Sequence, residues 1–449
     1  MRKYAALLAV LSIGLITCER RPSSLLPEQP FDSVKRRYVV FFNDSFLKPL
    51  VSDSSFYTKT PEARAAEHDS ANAKILDVLK KYHLPEPLYT FTAVTPGFAI
   101  EASGQALQIL AAKRLADILA DVGIEGRPIQ QGRPIQQGDP FDPFGKCQTG
   151  VLKQIAGSRY QSWAVEKAGG AMPGLDSDRR IWIVDTGIDH RNPFLNIDVS
   201  MERNFAGYGS PTDASDDNGH GTMVAGVAAA KEITWPTGET ISAGVSPGAS
   251  VVALKVLDQN GSGYWSAVIA AINHIVLQGR TKNDVINLSL SDYDKKNACG
   301  SHTLFSKVRI ALTDAAAQNF VVIASGNEGR NSDYDMPGCV KIATPLDPRL
   351  ITVGAVNFEL QCTDYSNYGG KVDLIAVGSD VFCTYLNNGE QPRFVIASGT
   401  SFSTAVISGL VYHKGIAPLH GPTVTCIVEP KGNPDANGTP IPFALGTRP

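Results

Sequence analysis

Short apolar runs without alternation recur along the second half of the chain. They are RIWIVDTG (180–187), SVVALKVL (250–257), DVINLSLS (284–291), FVVIASGN (320–327) and LITVGAV (350–356). Strands covered on both faces have this texture. Between them lie stretches of helical composition, TMVAGVAAA (222–230), SAVIAAINHIVLQG (266–279) and KVRIALTDAAAQN (307–319). Strands alternating with helices predict crossover connections and a mostly parallel sheet flanked by helices, a three-layer α/β domain. Ligands of such sheets sit beyond the carboxyl ends of the strands.

The region before residue 125 is patterned differently. RYVVFF (37–42) is β-branched and aromatic, and PEARAAEHDSANAKILDVLKKYH (61–83) is helical in composition with Pro61 near its start. PLYTFTAV and GFAIEA read as strands around Pro96–Gly97, and GQALQILAAKRLADILA (104–120) as a second helix. Strand, helix, strand, strand, helix and a last short strand is the plan of a small α+β ferredoxin-like domain over 35–125. The hexapeptide RPIQQG then occurs twice in tandem, at 127–132 and 133–138. Two units cannot build a solenoid. The Pro/Gly-rich stretch 126–150 is expected to be an exposed, cleavable linker. Residues 151–412 form the α/β domain, and the Pro/Gly-rich 413–449 is expected to be a loop-like tail.

Composition narrows the class. Hydrophobic residues make up 43% of 449 and charged residues 19%, which suits a sizeable core. The net charge of −3 offers no basic surface, so nucleic acid is not an expected partner. Arg2 and Lys3 precede an apolar run from Ala5 to Ile16, too short to span a bilayer and laid out like a secretory signal over 1–18. It ends in LITC, similar to the lipobox of bacterial lipoproteins. A lipid anchor at Cys18 and plain secretion both stay open. Six cysteines remain after Cys18, an even number suited to an oxidising compartment. The expected pairs are Cys299–Cys339, Cys362–Cys383 and Cys147–Cys426. No CxxC is present, so no metal site is expected.

The chemistry gathers at element ends. Asp185 closes IWIVD, Asn327 follows VVIASG, His220 sits between glycines at a helix start in NGHGTMVAG, and Ser401 opens a helix in ASGTSFSTAVISGL. Singly, each reads as a turn or cap residue. Together they form a set. A serine hydroxyl is too weakly acidic to attack a carbonyl unaided and needs a base. The base needs a carboxylate to hold its tautomer, and the oxyanion needs donors such as an Asn amide and a backbone N–H. The glycines around His220 are expected to leave its ring reachable. The rival hydrolases are not expected: a serine esterase needs a G-x-S-x-G elbow and a metallopeptidase HExxH, and neither signature is read in the chain. A peptide-binding relative without catalysis is the rival outside enzymes.

VDTGID, NGHGTMVAG, VINLSLS, VIASGNEG and SGTSFSTAVISG resemble the subtilisin (subtilase) serine peptidases in that family's Asp, His, Asn, Ser order, over about 160–412. The resemblance implies a secreted serine endopeptidase acting on protein or peptide substrates. In it Asp185 orients His220, His220 is base and then acid, Ser401 is the nucleophile, and Asn327 is an oxyanion donor. It also implies that Ser289, Leu290, Ser291, Ala324, Ser325 and Gly326 line the substrate cleft, with Gly263 in a further wall. The 37–125 segment resembles the family's inhibitory propeptide, an intramolecular inhibitor cut off autocatalytically within 123–150. No cofactor is expected and a monomer is. Structural calcium is left open, because Phe194 stands where many relatives carry a calcium-binding aspartate. Met223 stands where the family usually has a second histidine, and the proline usual after the serine motif is missing at Ala405. The long C-terminal helix that the family implies is not found after residue 412.

Overall fold

The computed structural model describes residues 33–53, 55–126, 130–131, 135–136, 151–172, 178–278, 283–292, 299, 303–341, 349–387, 393–415, 420–426 and 439–444. The signal segment and Cys18 lie outside them, as does Cys147.

The apolar runs of the second half become the main sheet. Its order is Asn196–Ile197, Ser250–Lys255, Ile181–Asp185, Val285–Leu288, Phe320–Ala324, Leu350–Val356 and Leu374–Val377. All neighbours on this path pair in parallel. Ile181 and Ile183 face one apolar cluster, with the helices His220–Ala229 and Thr400–Lys414. Trp182 and Val184 face the other, with Trp265–Gln278 and Thr303–Ala316. Because alternate residues enter different cores, the strand reads as an unbroken apolar run.

The N-terminal unit comprises β1 (Lys35–Phe42), α1 (Pro61–Lys81), β2 (Tyr89–Phe91), β3 (Gly97–Ser103), α2 (Gly104–Ala112) and β4 (Ala116–Ala120). Its sheet order is β2-β3-β1-β4, all antiparallel, the ferredoxin-like arrangement. The expected second helix over 104–120 is corrected. It stops at Ala112, Arg114 turns left-handed at φ 53, and ADILA pairs with β1 instead. An αL residue just past a helix ends it, and ADILA then gains a full ladder of partners.

One face of this small sheet packs on α1 and α2 through Val40, Ile100, Ile75, Leu79 and Leu107. The other face, with Val39, Phe41 and Ala99, shares a core with the helices Trp265–Gln278 and Thr303–Ala316. Asn273, buried on the first of those helices, receives the backbone N–H groups of Thr92 at 2.9 Å and Ala93 at 2.7 Å on Oδ1. Truncation would strand two buried donors. Asn273→Ala is expected to lower stability by about 2 kcal/mol, measured as a fall in the denaturant midpoint of the intact chain.

Three further expectations change. The 126–150 stretch is not wholly free of structure. β5 (Gly123–Glu125) precedes it, and β6 (Gln130–Gln131) and β7 (Ile135–Gln136), one from each RPIQQG copy, pair with the single strand Arg393–Ser398. The tail is not only loop. Thr439–Ala444 joins the main sheet beside Leu374–Val377 and pairs antiparallel with His420–Cys426, so the sheet edge gains two strands. Cys299–Cys339 is bonded as expected. Cys362 is in a disulfide, but not with Cys383, a buried free thiol. The strand Val381–Thr384 turns Cys383 into the apolar core, where its thiol donates to the Val381 carbonyl at 3.3 Å. The 40-residue separation of Cys299 and Cys339 gives about 4 kcal/mol in the chain-entropy account. The Cys299→Ser/Cys339→Ser variant is expected to lose stability of that order in urea titration.

Candidate active site

Asp185 is the last residue of its strand and His220 the first of its helix. Both are fully buried. His220 Nδ1 lies 2.8 Å from Asp185 Oδ1 and 3.0 Å from Oδ2. A carboxylate accepts only, so Nδ1 carries the proton and Nε2 is left as the basic end. Among the described residues, Nε2 is buried with no hydrogen-bond partner. Burial by itself would lower the pKa of His220. The charge of Asp185, its hydrogen bond and the charge of Asp216 outweigh burial and raise it above the ordinary histidine value.

Ser401 is the second residue of its helix, and its hydroxyl donates to the Ser289 carbonyl at 3.4 Å rather than to His220. The structure thus joins Asp185 to His220 and leaves Ser401 Oγ and Nε2 unbonded to each other. The ring of Phe402, next to Ser401, lies 6.1 Å from the His220 ring. Asn327 Oδ1 accepts from the backbone N–H and the hydroxyl of Thr400, both at 2.8 Å. Those two donors fix the amide orientation and leave its NH₂ end as the free face.

The reason for the glycines around His220 differs from the expected one. The ring is not exposed. A Cβ on Gly221 would fall 2.1 Å from the Gly187 carbonyl oxygen, so only glycine lets the helix start touch the Asp185 loop. Gly219 is left-handed at φ 109, and a Cβ there would meet the Tyr385 ring at 2.3 Å.

The chain itself covers the ring. β5 runs antiparallel between Ser262–Tyr264 and Ser291–Asp292. Gly126 N–H donates to the Gly261 carbonyl at 2.9 Å. A Cβ built on Gly126 would lie 3.7 Å from His220 Nδ1 and 3.5 Å from the Ser289 carbonyl oxygen. Ile124 is 1% exposed, in the apolar cluster that holds Leu290 and Trp265. Of the expected cleft residues, Gly263 and Ser291 pair with β5, Leu290 shares the cluster of Ile124, and the Ser289 carbonyl lies between Gly126 and Ser401. Ala324 ends the neighbouring strand, and Ser325 and Gly326 follow it. Ser325 is bonded to Val353 and Asn367, away from β5.

Sequence reasoning missed Asp216. Its carboxylate takes the Thr186 hydroxyl and the Gly219 N–H at 2.9 Å, the Asn218 and Thr222 N–H groups at 3.0 Å, and the Thr222 hydroxyl at 2.6 Å. An aspartate four residues before a glycine-flanked histidine was the available signal. Asn287 and Ser408 were missed too. Ser408 donates to Asn287 at 2.9 Å, Asn287 to Ser289 Oγ at 2.8 Å, and Ser289 to the Ser401 carbonyl at 3.1 Å. A G-x-S-x-G string does occur, at Gly244–Gly248. Ser246 within it is fully buried and bonded to the Gly409 carbonyl at 2.9 Å, which removes it as an esterase nucleophile.

Phe194 packs on Phe394 with ring centroids 5.7 Å apart, an apolar setting unsuited to a cation. Among the described residues, donors close enough to share a metal ion occur at His190, Glu202 and Asp213. His190 Nε2 is already 2.8 Å from Glu202.

The subtilase family model matches residues 177–413, over half of the chain. An intracellular serine protease of Paenibacillus polymyxa is 34% identical over 51% of this chain and 64% of its own length. A thermophilic serine proteinase of Bacillus sp. (strain AK1) is 34% identical over 52% of this chain and 51% of its own. Proteinase T of Parengyodontium album is 34% identical over 52% of this chain and 71% of its own. The chain thus spans from about half to under three quarters of the lengths of these relatives. With the family model matched across the sheet and the residues at its carboxyl rim, the chain belongs to the subtilase family.

Proposed function

We propose that the chain is a serine endopeptidase made as an autoprocessed zymogen. The observation that carries this is the Asp185–His220 pair, its Nε2 free, with a strand of polypeptide laid antiparallel across it. In this reading Ser401 Oγ rotates about χ1 from the Ser289 carbonyl towards Nε2, gives up its proton there and attacks the peptide carbonyl. The Asn327 NH₂ and the Ser401 N–H receive the oxyanion. His220 then protonates the leaving amine, and water, activated at the same nitrogen, releases the acyl group. Asp185 stabilises the imidazolium throughout. The substrate strand lies between Ser262–Tyr264 and Ser291–Asp292, gaining backbone hydrogen bonds on both edges.

Residues 35–125 act as the inhibitory propeptide, with β5 in the place of a substrate and processing between β5 and residue 150. Secretion rests on the N-terminal segment and on the Cys299–Cys339 bond, which suits an oxidising compartment. Cys18 is the site of a lipid anchor if the lipobox reading holds.

Labelling by a serine-reactive fluorophosphonate, lost in His220→Ala, tests the mechanism. Processed protein that takes up no label would instead mark a peptide-binding relative. Mass spectrometry of wild type and Ser401→Ala tests autoprocessing, which equal, full-length chains in both would exclude. The base must be neutral to act. With its pKa raised, kcat/KM of the mature enzyme is expected to rise with pH through an ionisation above about 6.5 and to fall away below it. A pH profile on a neutral peptide substrate checks this.

A further inference from the structure

Lys255 is a buried charge that the mechanism above does not use. It ends the strand Ser250–Lys255 directly opposite Asp185 and is 1% exposed. Burying an ammonium costs several kcal/mol unless it is well partnered. Its Nζ donates to the Thr186 carbonyl at 2.6 Å and to Asp217 Oδ1 at 2.6 Å. The other Asp217 oxygen takes the Tyr208 hydroxyl at 2.6 Å, and the Tyr208 ring lies 5.5 Å from Nζ.

These partners belong to two separate loops. Thr186 follows Asp185. Asp217 lies three residues before His220. The same loops meet a second time where the Thr186 hydroxyl donates to Asp216 and accepts the Gly221 N–H at 2.9 Å. Thr186 is therefore gripped at its hydroxyl by Asp216 and at its carbonyl by Lys255. Through Asp217, the lysine ties the peptide carrying the carboxylate to the loop that delivers the imidazole.

We propose that Lys255 is a positioning residue for the Asp185–His220 pair: its ammonium bridge between Thr186 and Asp217 sets the spacing of the two loops. This rests on the serine peptidase reading. The charges acting on His220 are Asp185 and Asp216. Lys255 and Asp217 pair with each other.

The test uses the processed enzyme. Lys255→Met is expected to lower kcat by about 10–100-fold with KM little changed, the size found when reacting groups shift by about an ångström. Lys255→Arg, which keeps the charge and the donors, is expected to recover most of the loss. Lys255→Met/Asp217→Asn removes the pair as a neutral unit, so its pH profile reports geometry rather than lost charge. Its acid limb is expected to move to lower pH as Asp185 loosens its hold on His220, and the downfield His220 Nδ1–H proton resonance to broaden or vanish. Asp217→Asn covers the case in which the methionine variants do not fold; because it leaves the Lys255 charge uncompensated, only the Nδ1–H resonance is read from it, and that is expected to broaden. An unmoved acid limb and an intact Nδ1–H resonance in folded variants would overturn the proposal, even if their thermal midpoints drop. Wild type with neither turnover nor fluorophosphonate labelling would instead overturn the peptidase reading, and the resonance would still report on Lys255.

Discussion

His220→Ala is expected to lower kcat by about a millionfold on a peptide substrate, with KM within a few-fold of wild type. The physical reason is the weak acidity of the Ser401 hydroxyl. Without Nε2 the proposed base that takes its proton is gone, and among the described residues no other group is bonded to that nitrogen. Ser401→Ala should cost a similar factor, and the double variant little more, because base and nucleophile act as one unit. Asn327→Ala removes one oxyanion donor and should cost about 10²–10³ in kcat alone. Steady-state kinetics on protein cut in the linker by an unrelated, separately inhibited protease, and normalised by protein concentration, would check all four variants. Additive losses in the double variant would break the proposed link between His220 and Ser401.

Gly221→Ala is expected to be strongly disruptive for a single added methyl. The new Cβ would lie 2.1 Å from the Gly187 carbonyl oxygen, and that atom belongs to backbone, not to a side chain that can swing aside. The helix His220–Ala229 must back away from the Asp185 loop, which breaks the Gly221–Thr186 bond and pulls the imidazole off its carboxylate. Overpacking against fixed backbone typically costs 1–3 kcal/mol or more. A loss of about 3 kcal/mol in chemical denaturation, with activity down more than tenfold in the folded fraction, is the expected result. A variant as stable and active as wild type would mean that the two loops are not locked together.

Much of this was legible in the sequence for identifiable reasons. A strand such as Ile181–Asp185 feeds alternate residues into two cores, so its apolar run is written plainly, and the polar residue at its end stands out. Asp185 and Asn327 were visible because each sits where such a run stops, and His220 and Ser401 because each opens an apolar helix. The illegible parts depend on partners far away in the chain. Nothing in NGHGTM says that Gly221 faces the Gly187 carbonyl, so its role was misread as exposure of the ring. ADILA has helix-forming residues, and only the edge of β1 makes it a strand. Cys383 and Cys362 look pairable by count, yet strand direction turns one of them into the core. Asp216 and Lys255 reveal themselves only through bonds spanning 30 and 69 positions to the same threonine.

The placement of β5 and of β6 with β7 has a kinetic consequence. These strands are zipped to the body of the protein on either side of Ser401, β5 to Ser262–Tyr264 and Ser291–Asp292, and the other two to Arg393–Ser398. Under the proposed autoprocessing, scission between them would leave both new ends docked, poised for religation and shutting out any incoming polypeptide. Activity should therefore emerge after a lag that follows peeling of those flaps rather than the cut itself. That lag should shorten in mild denaturant and be indifferent to dilution for as long as no freed enzyme molecule attacks its neighbours.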